Sequence, residues 1–292
     1  MSAATPAAWR RLRLGVSTLL GRRPGGFFIP YRHAASVVPR PYPTLEPLFA
    51  AAMPEMLAWL ERIEGFGDRL RAFAGPPPLP RWTQDWFPRL DGAALYTIVR
   101  HARPRRVLEI GSGHSTRFIA QAVADGGFAC TITCVDPQPR AEIGTLPVTL
   151  RRRLWSPDDG ELARELAAGD VLLIDSSHVA VPGSDVDLLL NTVLPELATG
   201  VLVHLHDIFL PDRYPVEWTW RGYNEQVPVG CLLHGGGYAV RFASHYLVTR
   251  HGARLAAGVV GGLPLPAGAR ESSLWLEKLP AAAVLRGVAQ SA

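Results

Sequence analysis

The sequence predicts an α/β fold with a doubly wound, mostly parallel sheet, and three observations carry that expectation. Short runs of Val, Ile and Leu recur as RVLEIG (106–111), CTITCVD (130–136), DVLLIDS (170–176) and GVLVHLHD (200–207). Runs so continuously apolar suit strands covered on both faces, as in parallel sheets. Stretches with helical spacing separate them, supplying the crossovers that parallel strands need. Each run also ends in glycine, acid or histidine, at the strand ends where open α/β sheets place their ligands.

Taken in order, residues 1–45 contain no acid but carry Arg10, Arg11, Arg13, Arg22, Arg23, Arg32 and Arg40. Around Trp9 to Leu20 the spacing of Leu12, Val16, Leu19 and Leu20 predicts a short amphipathic helix. Such a stretch could touch an anionic membrane surface or an acidic partner; its short apolar part favours an arm packed on the main domain. Residues 25–47 are aromatic and proline-rich, hence extended or turning. Leu57, Leu60, Ile63, Leu70 and Phe73 predict helix over 45–73, ended by GPPPLP at 75–80. The organisation expected is an N-terminal accessory region over 1–80, the main domain over 81–255 and a C-terminal surface extension over 256–292.

Within the main domain the spacing predicts helices at 91–103, 115–126, 159–169 and 185–200, and a weaker strand at 148–154. A further helix should run from about Asn224 to His234. YAVRFA and HYLVTR then read as a closing antiparallel pair, and the Ala-, Gly- and Pro-rich last 30 residues as surface wrapping.

Composition excludes several classes. With 48% hydrophobic and 19% charged residues, together with 8 Trp, 7 Tyr and 10 Phe, the chain has enough apolar surface to fold and is neither disordered nor collagenous. A net charge of +4 spread over 292 residues is no nucleic-acid footprint. The absence of a long apolar run and of a secretory leader makes the cytoplasm the expected location, without a transmembrane segment. Cys130, Cys134 and Cys231 make no disulfide framework.

The chemistry-bearing residues sit at the strand ends. Glu109-Ile110-Gly111-Ser112-Gly113-His114-Ser115-Thr116 combines two glycines, which let a backbone approach a ligand, with the start of a helix; Thr116 stands where a dinucleotide fingerprint would have its third glycine. Asp136, on the next strand end, suits the hydroxyls of a ribose. The fourth run ends in Asp175-Ser176-Ser177-His178 and the fifth in His206-Asp207.

VLEIGSGHSTRFIA, CVDP, GDVLLIDSSHV and LATGVLVHLHDIFLP together resemble the class I S-adenosylmethionine-dependent methyltransferases, over about residues 85–250. They are most similar to the small-molecule branch that includes the macrocin-type O-methyltransferases. The resemblance implies a Rossmann-like, seven-stranded, mostly parallel sheet and S-adenosylmethionine as cofactor. It implies that Glu109, Gly111, Ser112 and Gly113 border the methionine part, with Asp175 also beside the cofactor. Asp136 would bind the ribose, and Ser156 or Asp158 would lie near the adenine. Asp175, His206 and Asp207 would hold Mg²⁺ or Mn²⁺, although His206 replaces the family's carboxylate, and His178 would be the base.

An imidazole can take a hydroxyl proton near neutral pH, so Asp175, His178 and His206 form the expected catalytic set. His204, two residues before His206, reads as a core histidine, and His114 as a cap of the glycine turn. Residues 81–91, 209–220 and 221–226 are aromatic and polar segments suited to a lid and acceptor pocket, with Asp85, Arg213, Asn224 and Glu225 as selectors of polar groups. The function expected is methyl transfer to a hydroxyl of a small molecule, a glycosyl unit or secondary metabolite of natural product biosynthesis, by a chain that could form a homo-oligomer. A metal-independent enzyme on the same fold and a non-catalytic cofactor-binding module remain the alternatives.

Overall fold

The computed structural model describes residues 6–21 and 25–280, and the chain divides into two compact units at Pro39/Arg40. In the first unit, α1 (Pro6–Leu19) is followed by a segment that folds back on one side of the helix. The Gly25 N–H donates to Thr18 Oγ1 at 3.0 Å, and a Cβ on Gly25 would stand 2.7 Å from Leu14 Cδ2.

The second unit opens with α2 (Glu46–Ala51), α3 (Met53–Glu64) and α4 (Gly67–Arg71), where the sequence predicts helix over 45–73 interrupted at Gly65 and Gly67. Pro54 lies in the first turn of α3, where a missing N–H is tolerated, so a new helix starts there; Gly65 and Phe66 separate α3 from α4. Met56, Trp59, Leu60 and Ile63 recur at helical spacing and form the buried face of α3.

The sheet has seven strands in the order β3-β2-β1-β4-β5-β7-β6. The strands are β1 (Arg106–Ile110), β2 (Thr131–Val135), β3 (Thr149–Arg151), β4 (Val171–Ile174), β5 (Leu202–Leu205), β6 (Tyr238–Ala243) and β7 (Leu274–Lys278). The first five run parallel, and β7 is antiparallel to both β5 and β6. Helices α5 (Arg89–Ala102), α6 (His114–Gly126), α7 (Gly160–Arg164), α8 (Asp185–Leu188), α9 (Leu194–Glu196), α10 (Gln226–His234), α11 (Ser244–Arg250) and α12 (Gly252–Ala257) flank it. This is the Rossmann-like α/β architecture.

Three expectations change. HYLVTR is helix α11, not a strand: it buries the adjacent residues Tyr246 and Leu247, which a half-covered strand would send to opposite faces. The antiparallel partner of β6 is instead Leu274–Lys278, which lies inside the sheet and not on the surface; its apolar run is too short to stand out from an Ala- and Gly-rich neighbourhood. The helix expected over 185–200 starts at the Ser184 cap but ends at Glu196, with a π-turn over Leu189–Val193. Pro195 has no N–H to donate one turn back and its ring crowds the carbonyl there, so the preceding turn widens.

The parallel strands end level. Beyond the strands, Gly111 N donates to Val135 O at 3.0 Å, Asp175 N to Ile110 O at 2.9 Å and His206 N to Ile174 O at 3.0 Å. The residues that follow β1, β2, β4 and β5 therefore share one sheet edge. Beneath it, Phe118 of α6 packs with Phe73, Trp82 and Phe87, and the Trp82 indole N–H donates to Leu70 O at 2.8 Å.

Candidate active site

Gly111 leaves β1 with φ +81°, and a Cβ there would meet Asp175 O at 1.8 Å. Only glycine allows β1 and β4 to end this close together. The turn is then locked by acids. Glu109, 1% exposed, accepts from Ser115 Oγ and Thr116 Oγ1, each at 2.6 Å, and from the Cys134 thiol at 3.3 Å. Burial raises its carboxyl to about 7, against the opposing pull of those donors. Asp136 accepts from Ser112 N at 2.6 Å, Ser112 Oγ at 3.0 Å and Gln138 N at 2.7 Å. The Gly113 N–H is capped by Thr116 Oγ1 at 2.9 Å, so Thr116 and not His114 closes the turn.

On the neighbouring strand ends the acids meet imidazoles. His178 Nδ1 lies 2.9 Å from Glu225 Oε2, and its Nε2 lies 3.2 Å from Asp175 Oδ1 and 3.6 Å from Asp207 Oδ2. His206 Nδ1 stands 3.5 Å from Asp175 Oδ1 and 3.6 Å from Asp207 Oδ1, and its Nε2 faces Asp91 Oδ2 at 3.5 Å. The ring of Phe87 stacks on His206 with centroids 5.0 Å apart. His178 and Asp207 both hold left-handed backbone, φ +59° and +55°, a conformation that costs about 1–3 kcal/mol outside glycine.

Burial works against charge on both histidines. For His178 it is outweighed by hydrogen bonds to Asp175 and Glu225 and by the charge of Asp207; for His206 it is outweighed by the charges of Asp175 and Asp207. Both are held well above the usual imidazole range. Burial would raise Asp175, yet His206 and His178 hold it well below the usual carboxylate range. His204 differs: burial lowers it to about 3, its Nε2 lies 2.8 Å from Ser273 Oγ, and it is a neutral core histidine as expected.

One cavity joins the two halves of this edge. Ser112, Gly113 and His114 line it from the glycine turn, and Asp175, His178, His206 and Asp207 from β4 and β5. Trp86, Trp218, Tyr223, Arg140, Arg221 and Arg270 wall it on the outside. The Arg221 guanidinium lies 3.9 Å from the Trp218 ring centroid and 3.9 Å from Asp207 Oδ2. Of the expected selectors, Asp85 lines the cavity, whereas Asn224 ties the loop after β4 by accepting from Ala180 N at 2.7 Å.

Ser156 and Asp158 are not among the residues that line the cavity. Ser156 caps the turn Pro157–Asp159, where buried Asp159 pairs with Arg151 and Arg153. Two residues carry more of the site than the sequence signals. Glu225 sits behind His178, not in the acceptor pocket, and Asp91 sits under His206 while accepting from Ser272 N and Ser273 N at 3.0 Å. Neither lies at a strand end, so no local pattern marks them.

The expected Mg²⁺ or Mn²⁺ set of Asp175, His206 and Asp207 stands together at the β4–β5 end, its members turned on one another. His206 Nδ1 stands between the two carboxylates, 3.5 Å from Asp175 Oδ1 and 3.6 Å from Asp207 Oδ1. Among the described residues no group of three or more His, Cys, Asp or Glu side chains is arranged to hold a metal ion.

Residues 108–208 match a family model described as "Methyltransferase domain". That stretch holds the glycine turn, Asp136, Asp175, His178, His206 and Asp207, and the match supports the class I S-adenosylmethionine-dependent methyltransferase family. A search of the curated proteins finds no match. Among solved structures, the chain is similar to an S-adenosylhomocysteine-bound Podospora anserina methyltransferase, at 16% identity over 87% of this chain and 100% of that one, TM-score 0.41. It is similar to a putative caffeoyl-CoA O-methyltransferase from Staphylococcus aureus, at 16% identity over 73% and 92%, TM-score 0.39. It is also similar to the plantazolicin methyltransferase BamL, at 12% identity over 80% and 100%, TM-score 0.40.

Proposed function

We propose that the chain is an S-adenosylmethionine-dependent methyltransferase that methylates a hydroxyl of a small molecule without a metal, with His178 as general base. One observation carries the reading: His178 turns Nδ1 onto Glu225 at 2.9 Å and Nε2 toward Asp175 and Asp207, and all but Glu225 line the cavity that opens from the glycine turn. The family match over residues 108–208 supports the cofactor.

The residues present fit that cofactor. Ser112 and Gly113 of the turn line the cavity, Asp136 keeps a lone pair beyond those used by Ser112 and Gln138, and Asp175 is the most exposed member of the acid–imidazole cluster, with 34% of its side chain exposed. Glu109 acts through Ser115 and Thr116, as a positioning residue of the turn. No role at the adenine is assigned to Ser156 or Asp158. When bound, the cofactor supplies a methyl group on a positively charged sulfur.

His178 and its partners do the rest. Glu225 fixes the ring with Nδ1–H donated to its carboxylate, which leaves Nε2 to accept the proton of an acceptor hydroxyl held near Asp175 and Asp207. The acceptor oxygen, giving its proton to His178, would take the methyl group from the bound cofactor, which would leave as the neutral thioether. Trp86, Trp218 and Tyr223 exclude water and hold a flat acceptor against the reacting centre. Arg221, beside Asp207, limits the negative charge of the cluster.

The test pairs calorimetry of S-adenosylhomocysteine with transfer of labelled methyl to a panel of hydroxylated aromatic and glycosidic acceptors. The reading expects His178→Ala to retain affinity for the thioether product and lose transfer, and exhaustive chelation to leave the wild-type rate unchanged. No binding of S-adenosylhomocysteine would overturn the cofactor; a rate abolished by chelation and restored by Mg²⁺ would overturn the metal-free step.

A further inference from the structure

The basic first unit carries a surface that the catalytic reading does not use. Along α1, Trp9, Leu12, Val16, Leu19 and the following Leu20 recur at helical spacing, within an arc of about 100°. Their relative exposures are 64%, 56%, 45%, 62% and 63%. The opposite side of the helix is the covered one: the Gly25 and Gly26 segment lies against Leu14 and takes the Thr18 hydroxyl, which donates to Leu14 O at 2.8 Å. The return segment adds Phe27, Phe28 and Ile29, exposed at 70%, 64% and 72%.

Charge says what this surface fits. Arg10, Arg11, Arg13, Arg22, Arg23 and Arg32 fall in the unit, and the first acid of the chain is Glu46. Two such units repel one another, so pairing arm against arm is disfavoured. An aromatic and aliphatic ridge flanked by arginine, with no acid to oppose it, matches a lipid surface whose headgroups are anionic and whose acyl boundary accepts Trp, Phe and Leu. Among the described residues no helix is long and apolar enough to cross a membrane, so the contact is one of lying on the surface.

We propose that the first unit is a peripheral membrane anchor: α1 lies in the interface of an anionic bilayer with Trp9, Leu12, Val16 and Leu19 inserted and its arginines at the headgroups. The contact needs both terms, so it weakens when either is removed.

The experiment is co-sedimentation of the full chain with phosphatidylcholine vesicles with and without phosphatidylglycerol, at low and high salt. The proposal expects at least about tenfold stronger partitioning onto the phosphatidylglycerol vesicles, lost at high salt. It also expects Leu12→Glu with Val16→Glu, and separately Arg10→Glu with Arg13→Glu, to abolish binding. Circular dichroism, and affinity for S-adenosylhomocysteine where the wild type binds it, should stay unchanged. Equal partitioning onto both vesicle types, or binding that survives Leu12→Glu with Val16→Glu, overturns it. So does an absence of vesicle binding together with a dimer, seen by sedimentation equilibrium, that the same variant dissociates, since the ridge would then belong to a second copy.

Discussion

The two halves of the sheet edge use acids in opposite ways. At the β1–β2 end, Glu109 and Asp136 spend their oxygens on hydroxyls and backbone N–H groups of the glycine turn. At the β4–β5 end, Asp175, Asp207, Glu225 and Asp91 face two imidazoles that can gain or lose protons. The first arrangement fixes a shape, since its donors do not titrate near neutral pH. The second stores exchangeable protons in a largely buried place. A carboxylate's partner, more than its burial, separates scaffold from reactive group here.

The largest expected effect is at the reactive end. His178→Ala should lower methyl transfer by about 10²–10⁴-fold, the usual weight of a general base, with S-adenosylhomocysteine affinity unchanged in calorimetry. A variant that keeps its rate would return His178 to the scaffold class. Glu225→Gln should cost at least about tenfold in turnover while the melting temperature moves little, because the amide still fills the space behind His178 but no longer holds its Nδ1–H as firmly.

At the other end the expected losses are of structure. Gly111→Ala drives a methyl into Asp175 O and forces positive φ on a residue with a side chain, so it should lower stability by more than about 1 kcal/mol and weaken cofactor binding together. Denaturant unfolding with and without S-adenosylhomocysteine measures both. Beneath the edge, Phe118→Ala should cost about 3–5 kcal/mol by leaving a cavity among Phe73, Trp82 and Phe87.

Acidity sharpens the contrast with a smaller signal. Glu109 is raised by burial to about 7, so the native chain binds its proton more tightly than the unfolded chain does. Stability from this group is full below the unfolded value of about 4.5 and declines as pH rises through about 7. The melting temperature should fall across that window, and Glu109→Gln should flatten the slope. His178 also has its proton held, by Asp175 and Glu225. Its basic form therefore grows as pH rises above the ordinary imidazole range, and the rate at saturating cofactor should climb there instead of levelling near 6.5.

The strand ends were legible because each apolar run stops abruptly at Gly111, Asp136, Asp175 or His206, and parallel strands place such stops on one edge. Long-range pairing was not. Glu225 meets His178 across 47 residues, and Asp91 meets Ser272 across 181, so no spacing within one element points from either to its partner. The surroundings of the expected metal set were hidden for the same reason: three ligand-type residues at neighbouring ends say nothing of the second imidazole and the buried acids that engage them. β7 was hidden because two or three apolar residues do not distinguish strand from loop without the β5 and β6 ladders that receive them.

That strand bears on how the β4–β5 end is held together. Ser272, just before β7, donates its hydroxyl to Asp207 and its N–H to Asp91, and β7 fills the slot between β5 and β6. A nascent chain still lacking residues 272–278 has the glycine turn but neither a closed sheet nor a braced His206. Truncation before β7 would therefore take away the support of His206 and Asp207 while leaving the residues of the glycine turn in the chain.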